Sequence, residues 1–580
     1  MGAGKHGKPR GVDGKALALS LVLGILLAIS GFAMCVCIGY ITVFEHSSET
    51  VRTAAAIVMT VGPFVFGLVG GYAIIRNTRR IVRYTEGYEP LRFLALDWSA
   101  RAVAIATAIM LVLWLPYLIL QFPGSIYFDT AIQFYQFQTS SPTYYGSHDV
   151  FYDASYVDHH PVCVTLLYGA FLTLGDLVGS QNAGIFTLVI LQSIVAAAAI
   201  TGSICYTKKL GVPKVFRLVG WLFCALFPVI PLWQGTIVKD SLFSPLFVIF
   251  LVLYFDAFRT KGESLKRPST TIWFVVVTLL CILTKKAGLE VVAPSLFVLL
   301  IYCRAWWKQA LAVLVIPLII AQGLIPAFLY PAIGGVEPGG KQEAFGFAMQ
   351  QMITVVREAN DLTESESAAL EGVLDVEAAK DAYDPQITDP VKDLVHPEAT
   401  TDDYLSFLKA YATVGLRHPI LYAKSILSVT GAMVCPGMAF GYHHSYGRPS
   451  AYWWSTYGQH DVNGELHITM GTPEPIAKAN NWFNNAFDSF METPPMLFLF
   501  GRGMFGGWIP LICIVLSLYG GRRFGVAFVP VMLSIVVILL SPAGQARYVL
   551  PMLYTTPLML GMLCYALNAP PKQEKMIRKS

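Results

Sequence analysis

An all-α polytopic membrane protein with about twelve transmembrane helices is predicted by three observations. Apolar runs of membrane-spanning length recur along the chain, short Lys/Arg-rich links join them, and residues 124–161 contain no Lys or Arg at all. A hydrocarbon core of roughly 30 Å needs about 20 apolar residues per helical crossing. Of the 580 residues, 55% are hydrophobic and 13% charged, and mean hydropathy is +0.56. That balance excludes a soluble enzyme on a single anchor. The net charge of +4 sits in links beside apolar helices, so it reads as an orientation signal and a contact for anionic lipid. No nucleic-acid partner is implied.

Crossings are expected near 17–43, 54–75, 102–122, 184–206, 215–233, 241–257, 271–285, 288–303, 310–331, 497–519, 525–541 and 549–567. Residues 16–44 are too long for a signal-peptide core and lack a small-residue cleavage site, so they are read as a retained first helix. Lys5, Lys8, Arg10 and Lys15 place the amino terminus inside, and the tail from Lys572 to Lys579 places the carboxyl terminus there too. The segment 162–177 decides the topology. If it crossed, Lys208, Lys209, Lys214, Arg259, Lys261, Lys266 and Arg267 would fall outside; as a juxtamembrane helix on the outer surface it leaves these, Arg304, Lys308, Arg522, Arg523 and the tail inside.

This map divides the chain into four parts. Residues 1–101 are an amino-terminal two-helix addition with a basic link, and 102–331 a transmembrane core with its first outer loop at 123–183. Residues 332–496 are an extracytoplasmic region, and 497–580 three final helices with a basic tail. In the long outer region, 345–358 and 404–434 have helical periodicity, 361–403 is acidic and proline-punctuated, and 436–495 reads as an aromatic-rich ordered cap. The ten cysteines show no CxxC pair or disulfide framework; Cys163 and Cys435 fall outside, where a bridge is chemically conceivable.

The chemistry-bearing residues gather at outer helix ends. Asp129 lies just beyond the third crossing with Tyr127 nearby, where a carboxylate can take a proton from an alcohol, help bind a cation, or simply cap a helix. Asp158 and Pro161 suit a helix start, with His159 and His160 between them. Lys239 and Asp240 occupy a short outer mouth, as an ion pair, a cap or a site for acceptor. Lys285 and Lys286 fill a very short turn between two apolar helices, against the positive-inside preference, which suits a phosphate partner or lipid headgroups. Gln350, Gln351 and Arg357 share one helix, and Arg547 and Tyr548 precede the last crossing. Together Lys285, Lys286, Arg357 and Arg547 are positioned to form an outward-facing anion site. No metal is required by these residues, and divalent-metal dependence stays open.

In order and sidedness, Phe128-Asp129-Thr130 with Gln133, His159-His160-Pro161, Lys239-Asp240, Lys285-Lys286-Ala287-Gly288, Gln350-Gln351 and Arg547-Tyr548 resemble the GT-C superfamily of integral membrane glycosyltransferases. The likeness is to a bacterial branch with these motifs and spans about residues 102–567. It implies a GT-C-like fold in the bacterial plasma membrane, moving a sugar from a polyprenyl-phosphate donor to an extracytoplasmic glycan, lipid or protein acceptor, with inversion. Asp129 would then be the catalytic base. Lys285, Lys286, Arg357, Arg547 and His160 would hold the donor phosphate, and Asp158, His159, Lys239, Asp240, Gln350, Gln351, Tyr127 and Tyr548 would contact sugar or acceptor. His160 stands where some relatives have Lys before Pro. The Asp-Glu pair of protein O-mannosyltransferases is absent because Thr130 follows Asp129, so the base lies between Asp129 and Asp240. A polysaccharide polymerase or ligase, a lipid-linked sugar transporter or flippase, and an assembly scaffold are the competing readings. The first shares the outer loop and lipid-linked substrate, while the second favours ionisable groups near the bilayer midplane on repeated halves.

Overall fold

Two groups of paired charges, one at each end of the helices, organise the molecule. The computed structural model describes residues 12–37, 48–140, 154–340, 342–437 and 470–569. The terminal basic residues Lys5, Lys8, Arg10 and Lys572 onward lie outside the described residues, as does 438–469 of the expected aromatic cap.

The first helices, α1 (Gly14–Cys37) and α2 (Glu49–Thr85), run antiparallel, with Asp13 at the start of one 3.6 Å from Arg76 near the end of the other. Next come α3 (Ala100–Leu120), the short strand β1 (Ser125–Ile126), α4 (Phe128–Thr139), β2 (Tyr156–Asp158), α5 (Val162–Leu177) and α6 (Gln181–Leu210). The chain continues through α7 (Lys214–Leu226), α8 (Val229–Gln234), β3 (Thr236–Ile237), α9 (Lys239–Arg259), α10 (Pro268–Thr284), α11 (Lys286–Tyr302), α12 (Arg304–Ala332) and β4 (Val336–Pro338). One end of this bundle gathers cations. Lys208 and Arg217 reach Asp97 at 2.8 and 3.3 Å, Lys214 reaches Glu89 at 3.0 Å, and Arg259 reaches Asp256 at 2.8 Å.

A second helical unit follows: α13 (Gln342–Glu358), α14 (Glu364–Glu371), α15 (Val376–Ala382), α16 (Thr401–Arg417) and α17 (Pro419–Thr430). It closes on its own core of Met349, Ile353, Leu370, Phe407 and Val414. Reciprocal caps start two of its helices, Thr363 with Glu366 and Thr400 with Asp403, satisfying amides that have no intrahelical partner. Thr388 donates its amide to the Pro542 carbonyl at 2.9 Å, anchoring this unit at the end of the bundle opposite the cations. The last helices are α18 (Glu474–Met491), α19 (Pro494–Gly520), α20 (Val529–Leu539) and α21 (Ala546–Asn568).

Among the described residues eight helices, α1, α2, α3, α6, α9, α12, α19 and α21, are long and apolar enough to cross a membrane. The other four expected crossings are shorter or broken. Phe227 adopts an extended conformation before Pro228, which splits 215–233 into α7 and α8. Helices α10 and α11 have 17 residues each and α20 has 11. The first of these legs runs from the basic end to the opposite one, and the link between α10 and α11 lies at that opposite end. Lys214 starts at Glu89 and Gln234 ends on Tyr554, while Lys285 joins α10 to α11 beside Asp240.

Helix α9 supplies the centre of the bundle, stacking Phe243, Phe247, Phe250 and Tyr254 along one face at helical spacing. The periphery is apolar too. Ile57, Val58, Val69, Val112, Ile272, Trp273 and Phe328 are all exposed, a surface suited to contact with lipid. The chain is a multi-pass membrane protein, and its described residues are mostly helical with almost no sheet.

Helix α5 pairs with the first half of α6 and turns back through Gly179. At Gly175 and Gly184 a Cβ would lie 2.6 and 2.2 Å from backbone of the facing segment, so the two helices touch closely. Gln192, about three turns into α6, is already level with β3. Helix α5 therefore leaves that level in the direction away from the basic end and never reaches the cations.

Candidate functional site

Two strands of two residues each bring the distant motifs together. Ser125 and Ile126 pair in parallel with Thr236 and Ile237. Gln192 donates to the Gln234 and Thr236 carbonyls at 2.6 and 3.0 Å, and Gln121 donates to Ser125 Oγ at 3.1 Å, fixing both strands from beneath. The chain enters β1 through Gly124 at φ +148°, where an added Cβ would lie 2.9 Å from Ile237 and Val189. Each strand runs into a helix, so Asp129 in the first turn of α4 arrives beside Lys239 and Asp240 in the first turn of α9.

Arg547, opening α21, completes the centre. It donates from Nη1 to Asp129 Oδ2 at 2.7 Å and from Nη2 to Oδ1 at 3.4 Å. Lys239 Nζ lies 2.9 Å from the same Oδ2, and His160 Nδ1 lies 3.9 Å from it. On the far side Arg547 Nε is 3.7 Å from Asp240 Oδ2, while Lys285 pairs with Asp240 Oδ1. Lys239 and Asp240 thus pair crosswise with Asp129 and Lys285, not with each other. The Arg547 guanidinium also lies 4.5 Å from the Tyr127 ring centroid and 5.2 Å from that of Tyr548, and Lys285 lies 4.8 Å from Tyr548.

The cluster is largely buried, and its members sit at helix starts. Asp129 is 7% exposed, Arg547 4%, Lys285 9% and Asp240 fully buried. Three cations, Arg547, Lys239 and Lys285, face two carboxylates, Asp129 and Asp240, which leaves one positive charge in excess. The amino-terminal ends of α4, α5, α9, α11 and α21 meet here, and their free amides and dipoles add to the positive potential. Burial pushes the Asp129 carboxyl up, but Arg547 and then Lys239 outweigh burial and hold it well below the ordinary carboxylate range. Burial, then the charge of Lys239, holds the His160 imidazole well below its usual value. A neutral His160 fits its 2.8 Å contact with Lys239, in which the ammonium donates to Nδ1.

A rim lies beside this centre. Lys286, half exposed, donates to the Asp158 carbonyl and lies 3.5 Å from its carboxylate. Burial raises the Asp158 carboxyl, against the pull of Lys286. Strand β2 carries Asp158 and pairs in parallel with β4, and the His159 ring packs edge-on against His160 at 4.5 Å.

Three anticipated members are elsewhere. Gln350 donates to the Asp384 carbonyl at 2.7 Å, Gln351 to the Tyr422 carbonyl at 3.2 Å, and Arg357 to the Lys380 carbonyl, with the Tyr383 ring 5.0 Å away. All three serve the packing of the second helical unit. Arg357 is not brought to Lys285, Lys286 and Arg547, because its helix face is consumed by α15 and the turn after it. Asp129 is not the solvated cap that its loop position permits. Conversely, Gln545, which accepts from Tyr127 Oη at 3.3 Å, and Tyr168 of α5, buried beneath Asp129 and Asp240, belong to the site without having been singled out. Gln545 stands two residues before Arg547, and Tyr168 is a polar break on an apolar helix face; those were the available signals.

Cys163 and Cys435 are both thiols. Among the described residues no three His, Cys, Asp or Glu side chains converge to hold a metal ion; the two central carboxylates are closed by cations instead.

The site, then, is a buried, cation-rich cluster at one end of a polytopic helical membrane protein. The chain belongs to the DUF6020 family, described as a family of unknown function, whose model matches residues 14–576. That match takes in α1 and α2, which the sequence alone had set apart as an addition. No curated protein and no solved structure matches the chain.

Proposed function

We propose that the protein is a GT-C-type membrane glycosyltransferase that transfers a sugar from a polyprenyl-phosphate donor to an acceptor outside the cytoplasm, with inversion. The supporting observation is the excess of buried positive charge at converging helix starts, all at the end of the bundle away from the basic links. A phosphate there gains charge-assisted hydrogen bonds and neutralises the excess. The four short legs count as crossings in this reading, giving twelve with both termini in the cytoplasm. The host is a bacterial plasma membrane, and the acceptor a cell-envelope glycan, lipid or protein.

In the reaction the acceptor oxygen forms a bond to the anomeric carbon as its proton passes to Asp129. The bond from that carbon to the phosphate oxygen breaks, and the phosphate leaves with the electron pair. Arg547, Lys239 and Lys285 stabilise the growing charge, with Lys286 at the mouth. Asp240 is the second choice of base, being fully buried where Asp129 retains 7% exposure.

A carrier of an intact lipid-linked sugar is the second reading, favoured by the closed ionic network around Arg547. Purified protein in lipid, given defined polyprenyl-phosphate sugars, separates the two. Transfer by wild type and a loss on the order of 100-fold in Asp129→Asn support the enzyme with Asp129 as base. Full transfer by the variant removes Asp129 from that role. Movement of the intact donor across the bilayer, with no transfer from any donor, replaces the enzyme with the carrier.

A further inference from the structure

The arrangement around Asp129 poses a chemical conflict that the proposed reaction must resolve. Its Oδ2 is held by both Arg547 and Lys239, at 2.7 and 2.9 Å, and its Oδ1 by the second guanidinium nitrogen at 3.4 Å. A base so held by two cations has little appetite for a proton, and the oxygen nearest them, Oδ2, already accepts from both. The cations have little else to offer an incoming anion, because Lys285 is committed to Asp240. Arg547 has somewhere to go, however. Its Nε and the Oδ2 of Asp240 lie 3.7 Å apart, and neither makes a hydrogen bond among the described residues.

Resting on the glycosyltransferase reading, we infer that the donor phosphate and Asp129 compete for Arg547 and Lys239, so that donor binding itself frees the base. In the resting site the carboxylate fills the place of the anion. When the phosphate enters, the guanidinium and the ammonium turn to it, and Arg547 keeps its second anchor on Asp240. Asp129 then faces Tyr127, Tyr168 and the neutral His160, with its oxygens open to the acceptor hydroxyl. The order of binding follows: donor first, acceptor second. An acceptor, or water, arriving at the empty site meets a carboxylate that cannot take its proton.

The competition predicts something that a plain base does not. Asp129→Asn removes the competing charge while keeping the side chain's shape. The variant in lipid nanodiscs should therefore bind polyprenyl monophosphate at least about tenfold more tightly than wild type. Inorganic phosphate should show the same sense if the anion alone is recognised, and no binding if the lipid chain is required. Polyprenol without phosphate should bind wild type and variant equally. Asp129→Glu should stay within about threefold of wild type, since the charge remains.

Equal or weaker binding of polyprenyl monophosphate by Asp129→Asn, with measurable binding by wild type, overturns the competition and leaves the anion site standing. Absence of phosphate-dependent binding in both overturns the anion site as well. An independent readout covers a variant that fails to fold. In wild type carrying isotope-labelled aspartate, adding polyprenyl monophosphate should shift a carboxylate infrared stretch as the guanidinium leaves, and an unchanged spectrum refutes the release.

Discussion

Lys285 and Lys286 are neighbours in one turn, yet they respond to opposite rules. Lys285 is buried against Asp240 and two aromatic rings, so Lys285→Ala removes the nearest partner of a fully buried carboxylate. Breaking a buried pair on one side costs about 3–5 kcal/mol, and low yield of folded protein is the expected result. Lys285→Met combined with Asp240→Asn removes both charges, and should recover folded protein, measured by monodisperse yield and melting, without recovering transfer. Lys286→Ala should fold normally and slow transfer at limiting donor by about fivefold, the scale of one exposed charge contact. An unchanged rate would take Lys286 out of the donor's path. From the sequence the two lysines look equivalent, because burial is decided by α9, some forty residues away. Asp129, Lys239, Asp240 and Arg547 were legible as polar residues at apolar helix ends. Their crosswise pairing was not, since it depends on which helix starts meet.

The elements explain why the site was half visible. A two-residue strand has no periodicity to read, so the β1–β3 pairing that sets Asp129 against Lys239 left only Gly124 and Gly235 as traces. Helix α13 was visible as a helix, and its polar face was real, but a face shows no destination. Gln350, Gln351 and Arg357 turn to the carbonyls of a second core rather than to phosphate. That second unit has an electrostatic lock of its own. Arg417 grips Glu366 at 2.7 and 3.0 Å, tying α16 to the cap of α14, and pulls the Glu366 carboxyl down to about 2 from its ordinary 4.5. A folded-state value below the unfolded one gives stability that is complete above about pH 5 and is lost as pH falls towards 2. The melting of this unit in the full protein, followed by hydrogen exchange, should therefore separate wild type from Glu366→Gln at pH 6. The gap should close between about pH 5 and 2. A gap unchanged across that interval would remove Glu366 as the responsible group.

On the scale of the whole molecule, charge placement in the sequence and packing in the structure select the same two ends. Lys208, Lys214, Arg217 and Arg259 are paired at one end, and Asp129, Lys239, Lys285 and Arg547 meet at the other. Helix α5 is the hinge of that assignment, since an apolar run of 16 residues can cross a thin bilayer or lie along it. Its return along only the first half of α6 puts both its ends on the same side of the basic cluster. Length and hydropathy could not reveal this, because they are properties of a segment and the turn at Gly179 is a property of two. The sidedness is open to direct measurement in cells from which the accessible native cysteines have been removed. A cysteine at Lys208, whose side chain is 51% exposed, should resist a membrane-impermeant thiol reagent until the cells are permeabilised. A cysteine at Lys478 of α18, 75% exposed and on a helix anchored to the Leu120 carbonyl, should react in intact cells. The reverse pattern would turn the protein over in the membrane and bring Asp129 and Arg547 to the cytoplasm. The substrate phosphate would then have to be sought on that side.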